Sequence, residues 1–133
     1  MSVFSCQFSE RVAIMASYRE LTVWQKAMDL TTEIYELTKK LPKDEMYALS
    51  NQMRRASVSI PSNIAEGQER NTKKEFCSFL YIARGSRAEL ETQLDMCIRI
   101  GYLTNEEISK ATSLLKEVGK MLTSLITKLI TDN

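Results

Sequence analysis

Between Ser50 and Arg87 the chain carries seven basic side chains, Arg54, Arg55, Arg70, Lys73, Lys74, Arg84 and Arg87, against three carboxylates, Glu66, Glu69 and Glu75. Guanidinium and ammonium groups at this density suit phosphate, because each donates charge-assisted hydrogen bonds to an oxyanion. The stretch from Ala88 to Ser109 has the opposite balance, with Glu89, Glu91, Asp95, Glu106 and Glu107 facing only Arg99. With 18 Lys and Arg against 17 Asp and Glu overall, the sequence offers a local basic patch rather than a bulk excess. The plainer reading is a solvated surface on which Arg87 and Glu91 pair at the i,i+4 spacing.

Other chemistries are poorly served. The chain has no histidine, which removes the commonest general base and zinc ligand together with every Ser/His or Cys/His nucleophile. A di-iron bundle site needs Glu-x-x-His and is excluded with it. Cys6, Cys77 and Cys97 are an odd number without CxxC spacing, so Cys77 and Cys97 read as small buried hydrophobes of a reducing compartment. A nucleophilic Cys77 would have only Lys73 as a cationic neighbour. Paired carboxylates such as Glu66 and Glu89 have no glycine-rich phosphate loop or histidine beside them. The expectation is a non-enzyme with no catalytic residue, no metal and no cofactor.

The elements that position these groups follow from periodicity. A chain of 133 residues, 44% hydrophobic and 26% charged, holds one ordinary core. Its four Gly and two Pro leave few turns for a many-stranded fold. No apolar run approaches the roughly 18 residues of a bilayer span. Val23, Ala27, Leu30, Ile34, Leu37 and Leu41 recur at three and four, predicting a first helix from Thr22, with Gln25 completing a capping box, to the stop at Pro42. Met46, Leu49, Met53, Ala56, Ile60 and Ile64 predict a second from near Asp44, kinked around Ser57 to Pro61 and ending near Gly67. Phe76, Leu80, Ala83, Leu90, Leu94 and Cys97 place a third between a Thr72/Glu75 box and Gly101. Ile108, Ala111, Leu115, Val118, Leu122, Leu125 and Leu129 trace the fourth, behind a Thr104/Glu107 box. Short connections make successive helices antiparallel, so residues 17–133 are expected to form an up-down-up-down four-helix bundle. Residues 1–16 read as a disordered or appended extension, with Met15 as an alternative start.

Two features exceed what one bundle needs. The run from Phe76 to Ala83, including Phe79, Tyr81 and Ile82, is apolar or aromatic on nearly every side, and Gly85 and Ser86 follow at once. Glycine inside a helix is unfavourable by about 1 kcal/mol relative to alanine unless a neighbour needs the space. Either a second subunit covers this face in a homo-oligomer, or Gly85 admits a side chain of the same core; Gly119 poses the same choice. On the second helix Gln52, Arg55, Ser59, Asn63, Glu66 and Arg70 form a polar stripe. Its small and amide members at the proline would serve either backbone groups freed by Pro61 or a ligand.

Five strings occur in a fixed order: Leu21-Thr-Val-Trp24-Gln-Lys-Ala27; Gln52-Met-Arg-Arg55-Ala56; Ser59-Ile-Pro61-Ser-Asn63-Ile-Ala-Glu66-Gly67; Gly85-Ser86 with Glu89-Leu90-Glu91; and Gly101-Tyr-Leu103. From about Tyr18 to Leu129 this set resembles the bacterial four-helix bundle family of the 23S rRNA intervening-sequence proteins, which includes the accessory proteins of diversity-generating retroelements. Trp24, Pro61, Asn63, Glu66 and Gly67 belong to that signature. The resemblance implies a small cytoplasmic bundle assembled as a ring-shaped homopentamer with a positively charged surface, and it implies phosphate contacts for Arg54 and Arg55. In the retroelement branch the ring contacts a reverse transcriptase and nucleic acid. The expected partners are therefore further copies of this chain and RNA or DNA. Arg54, Arg55, Arg70, Lys73, Lys74, Arg84 and Arg87 would face phosphates, and Phe76, Phe79, Tyr81, Ile82, Gly85 and Ser86 would face the next subunit. A protein scaffold or accessory subunit, binding a reverse transcriptase or another protein, is the alternative.

Overall fold

The computed structural model describes residues 17–131. Among them are four α-helices and no strand: α1 (Thr22–Thr38), α2 (Leu49–Gln68), α3 (Lys73–Ile100) and α4 (Ser109–Thr131). Short 3-10 turns at Tyr18–Glu20 and Lys43–Glu45 precede α1 and α2. Each helix packs on its neighbour in sequence and α1 packs on α4, which closes a four-sided bundle. The predicted seams meet in its centre, where Leu30, Ile34, Met53, Ile60, Ile64, Leu80, Leu90, Leu115 and Leu122 are fully buried. Each such side chain contributes roughly 1.5–3 kcal/mol through removal from water. The expectations for residues 1–16, including the alternative start, lie outside the described residues.

Helix ends follow local chemistry, with two corrections. Thr72 caps α3 by accepting from the Glu75 amide at 3.1 Å, and Gly101 closes it in the left-handed region at φ 92°. The Thr104/Glu107 box is reciprocal, each side chain accepting from the other residue's amide at 3.0 and 3.1 Å. That bond, with Lys40 at 3.2 Å, holds the Glu107 carboxyl below its ordinary range. The first box does not form. Leu21 is buried and occupies the cap position of α1, so Thr22 is already helical and the Gln25 amide donates instead to the Arg19 carbonyl at 2.8 Å. The second helix starts at Leu49 rather than Asp44. Asp44 lies in the 3-10 turn, where Glu45 accepts from the Tyr102 hydroxyl at 2.8 Å, and Met46 is half exposed instead of joining the seam.

Helix α2 runs unbroken through Pro61. A proline has no amide proton, so the carbonyl four residues earlier, Ser57 O, loses its helical donor. Neither Ser59 nor Asn63 takes that role. Thr31 of α1 does, its hydroxyl 2.9 Å from Ser57 O. The same hydroxyl lies 3.0 Å from Ala27 O, which already accepts a helical bond, so the proton is best used on Ser57. Asn63 instead donates to Ser59 O at 2.7 Å and Ser59 Oγ at 2.9 Å. Thr31→Val keeps the shape and removes the donor, leaving a buried carbonyl unpaired. It should lower unfolding free energy by about 1–3 kcal/mol in urea titration, with Thr31→Ser closer to wild type.

Gly67 lies in the last turn of α2, one residue before its end at Gln68 and so close to the expected terminus, and is buried against α3. A Cβ there would stand 2.7 Å from Phe79 Cβ and 3.0 Å from Phe76 Cδ1. Ser59 and Ser86 share a hydrogen bond of 2.8 Å across the same interface. Small residues thus let these two helices approach closely.

Candidate nucleic-acid interface

The seven basic residues singled out in the sequence do not form one surface. Arg54 turns toward α1, where its Nε donates to Thr38 Oγ1 at 2.9 Å and its guanidinium lies over the Tyr35 ring at 4.9 Å. Its neighbour Arg55 is exposed. At the α2–α3 turn Arg70 pairs with Glu66 at 2.9 Å and covers the Phe79 ring at 4.8 Å. Lys73 is half-buried and Lys74 exposed in the first turn of α3. Glu66 and Glu69 add negative charge at that end. Arg84 and Arg87 lie a bundle face away, toward α4.

There the basic charge concentrates. An open groove of about 610 Å³ between α3 and α4 is lined by Arg84, Arg87, Lys116 and Lys120, with Glu91 as its one carboxylate. Arg84 is stacked over the Tyr81 ring at 5.0 Å. Arg87 crosses α4, donating from Nη1 to the Leu115 carbonyl at 3.3 Å and to Glu91 at 3.4 Å. It can do so because Gly119 has no side chain: a Cβ there would sit 3.0 Å from Arg87 Nε. Gly119 therefore makes room for a side chain of its own subunit. Thr123 and Ser124 add hydroxyls one turn beyond Lys120. Counting charge along the chain misses Lys116 and Lys120, because only antiparallel packing brings them beside Arg84 and Arg87. Their i,i+4 spacing astride Gly119 was the available signal.

The candidate contact face of α3 is smaller than the sequence implied. Phe76 is core, and the Ser86 hydroxyl is engaged by Ser59, so neither is offered outward. Phe79 and Tyr81 are each covered on one face by an arginine of the same subunit. Ile82, 52% exposed, and Gly85 remain. Nothing lies within 4 Å of a Cβ placed on Gly85, which excludes the reading that it admits a core side chain among the described residues.

A second groove, of about 330 Å³, runs between α1 and α2 and is apolar. Trp24, packed on Tyr18 with centroids 5.3 Å apart, lines it with Met28, Val58 and the buried Pro61. Cys77 and Cys97 are free and buried, and burial pushes both thiols up, away from the reactive thiolate. No group of three or more acidic or sulfur ligands among the described residues is placed to hold a metal ion. No described helix is long and apolar enough to cross a membrane.

Residues 19–124 match the family described as 23S rRNA-intervening sequence protein. Among solved structures, a protein from Bacteroides thetaiotaomicron VPI-5482, described as of unknown function and from the S23 ribosomal protein family, is similar with a TM-score of 0.73 and 29% identity, over 79% of this chain and 98% of that one. No curated protein matches.

Proposed function

The chain belongs to the 23S rRNA-intervening sequence protein family, and from that membership we propose a non-enzymatic, cytoplasmic assembly protein that binds RNA or DNA weakly and without sequence preference, as a ring-shaped homopentamer. The observation that carries the binding is the α3–α4 groove, where four cations meet one carboxylate. The four cations line a cleft between two packed helices rather than the outer face of one projecting helix, so they meet phosphates rather than base edges, and such contact carries no sequence information. A ring repeats the groove on every subunit, and modest contacts add up through multivalency. The number five rests on the family resemblance.

The test is fluorescence anisotropy with labelled single-stranded RNA, single-stranded DNA and duplex DNA of unrelated sequences, over a salt series, on protein whose mass is measured by light scattering. Binding should fall linearly in log–log form, with a slope of roughly −0.7 to −0.9 per phosphate contact, and differ little between sequences. A mass of about five subunits is expected. Absence of binding at about 50 mM salt overturns the reading in favour of a protein scaffold or accessory subunit. The apolar α1–α2 groove around Trp24, Met28 and Val58 favours that second reading.

A further inference from the structure

We infer that the α3–α4 groove takes two phosphoryl groups of one chain, one at each of two stacked cation pairs, Arg87 with Lys116 and Arg84 with Lys120. The inference deepens the nucleic-acid reading above and rests on it for the ligand's source. The Arg87 side chain crosses Gly119 and reaches toward the Leu115 carbonyl, which its Nη1 meets at 3.3 Å, whereas the Arg84 guanidinium turns the other way along α3, onto Tyr81. Lys116 follows Leu115 directly, on the side toward which Arg87 reaches. Stepping back three residues on α3 to Arg84 moves about 4.5 Å along the bundle, and stepping forward four on α4 to Lys120 moves about 6 Å the same way, because the helices are antiparallel. The two pairs are thus offset by at least about a helical turn, since the two guanidinium groups also point apart. A single small anion cannot engage both pairs closely, whereas neighbouring phosphates on one chain can.

The groove also has capacity to spare. Arg87 donates to Leu115 and Glu91 only at 3.3 and 3.4 Å, long for charge-assisted bonds. Its Nε is buried without an acceptor. The Glu91 carboxylate therefore occupies, loosely, the position of the first phosphate and would be displaced by a group of higher charge. Beyond the second pair, the Thr123 and Ser124 hydroxyls extend the line of donors. Two ligand sources share this chemistry, neighbouring phosphates on the backbone of a single strand and the two outer phosphates of a nucleotide's triphosphate tail.

Isothermal titration of the full chain with orthophosphate, tripolyphosphate and a short oligothymidylate, repeated over a salt series, tests the assignment. Tripolyphosphate should bind once per subunit, at least tenfold more tightly than orthophosphate, and should displace the oligonucleotide. Lys116→Gln with Lys120→Gln, both exposed positions, should abolish tripolyphosphate binding and make the oligonucleotide salt slope shallower by about 1.4, two single-strand contacts. Glu91→Gln should tighten tripolyphosphate several-fold, and Arg99→Gln should change nothing. Equal binding of orthophosphate and tripolyphosphate overturns the two-phosphate geometry. An unchanged oligonucleotide slope in the double variant overturns the groove while leaving nucleic-acid binding intact. Tripolyphosphate binding without oligonucleotide binding keeps the groove, identifies a nucleotide tail as its source and removes the nucleic-acid reading.

Discussion

Gly67→Ala should destabilise the bundle by about 2 kcal/mol, and Gly67→Leu by more, although both substitutions improve helix propensity by up to about 1 kcal/mol. The reason is the 2.7 Å between a Cβ at this position and Phe79 Cβ, with the Phe76 carbonyl a further 3.3 Å away. Neither is the far end of a flexible side chain, so relief requires α2 and α3 to move apart. Moving them apart loosens Phe76 and Leu80 in the core and stretches the Ser59–Ser86 bond. The measurement is the urea midpoint at constant m-value. Gly85→Ala supplies the internal contrast, because it faces open space within the subunit and should stabilise an isolated bundle by about 0.5–1 kcal/mol. Equal effects at the two glycines would contradict the close approach at Gly67.

Gly85→Leu should convert the assembled protein to a folded monomer. Ile82 and Gly85 stand three residues apart on one face of α3 and are the parts of the candidate contact surface left most open by the described residues of their own subunit. In the proposed ring a neighbour packs there against bare backbone, which a leucine would exclude. Light scattering should show the mass fall to one subunit while the circular dichroism spectrum stays helical. An unchanged mass would move the contact away from this face, to the exposed apolar residues of α1 and α2. Unfolding is not expected, since a Cβ at Gly85 meets nothing from the rest of the described residues within 4 Å.

The four helices were legible because each carries an apolar residue at every third or fourth position, and burial follows that pattern from Val23 to Leu129 except at Met46, which is half exposed, and at Leu49 and Leu125, which are partly buried, the latter beside the buried Ile126. What local pattern could not decide was competition between a local rule and a tertiary demand. Thr22 has the right chemistry for a cap, but burying Leu21 outweighs it and shifts the cap by one residue. Asp44 has a similar claim as a helix start, yet the turn around it is tied to Tyr102 through Glu45. The candidate groove was half visible. Arg84 and Arg87 stand in a basic segment, whereas Lys116 and Lys120 lie about thirty residues on in a stretch of ordinary charge. Their meeting is a property of the antiparallel pair. Arg54 shows the converse: a basic charge in a basic segment already engages Thr38 and Tyr35 of its own subunit, which charge counting does not reveal.

The bond from Thr31 to Ser57 bears on how two smooth, knobbed rods find their relative height. An apolar seam repeats every turn, so α1 slid along α2 by one turn would still bury leucine against isoleucine at modest loss. Pro61 breaks that translational symmetry by making one carbonyl in the interior of α2 unlike its neighbours, and the Thr31 hydroxyl is positioned to answer it. Sliding α1 would leave the Ser57 carbonyl unpaired while Thr31 fell back on Ala27 O of its own helix, a penalty of about 1–3 kcal/mol that hydrophobic contact alone does not impose. The pair acts as a detent. It makes one alignment of the α1–α2 hairpin deeper than its neighbours, and with it the relative heights of Tyr35 and Arg54, and of Trp24, Met28 and Val58, on the outer face.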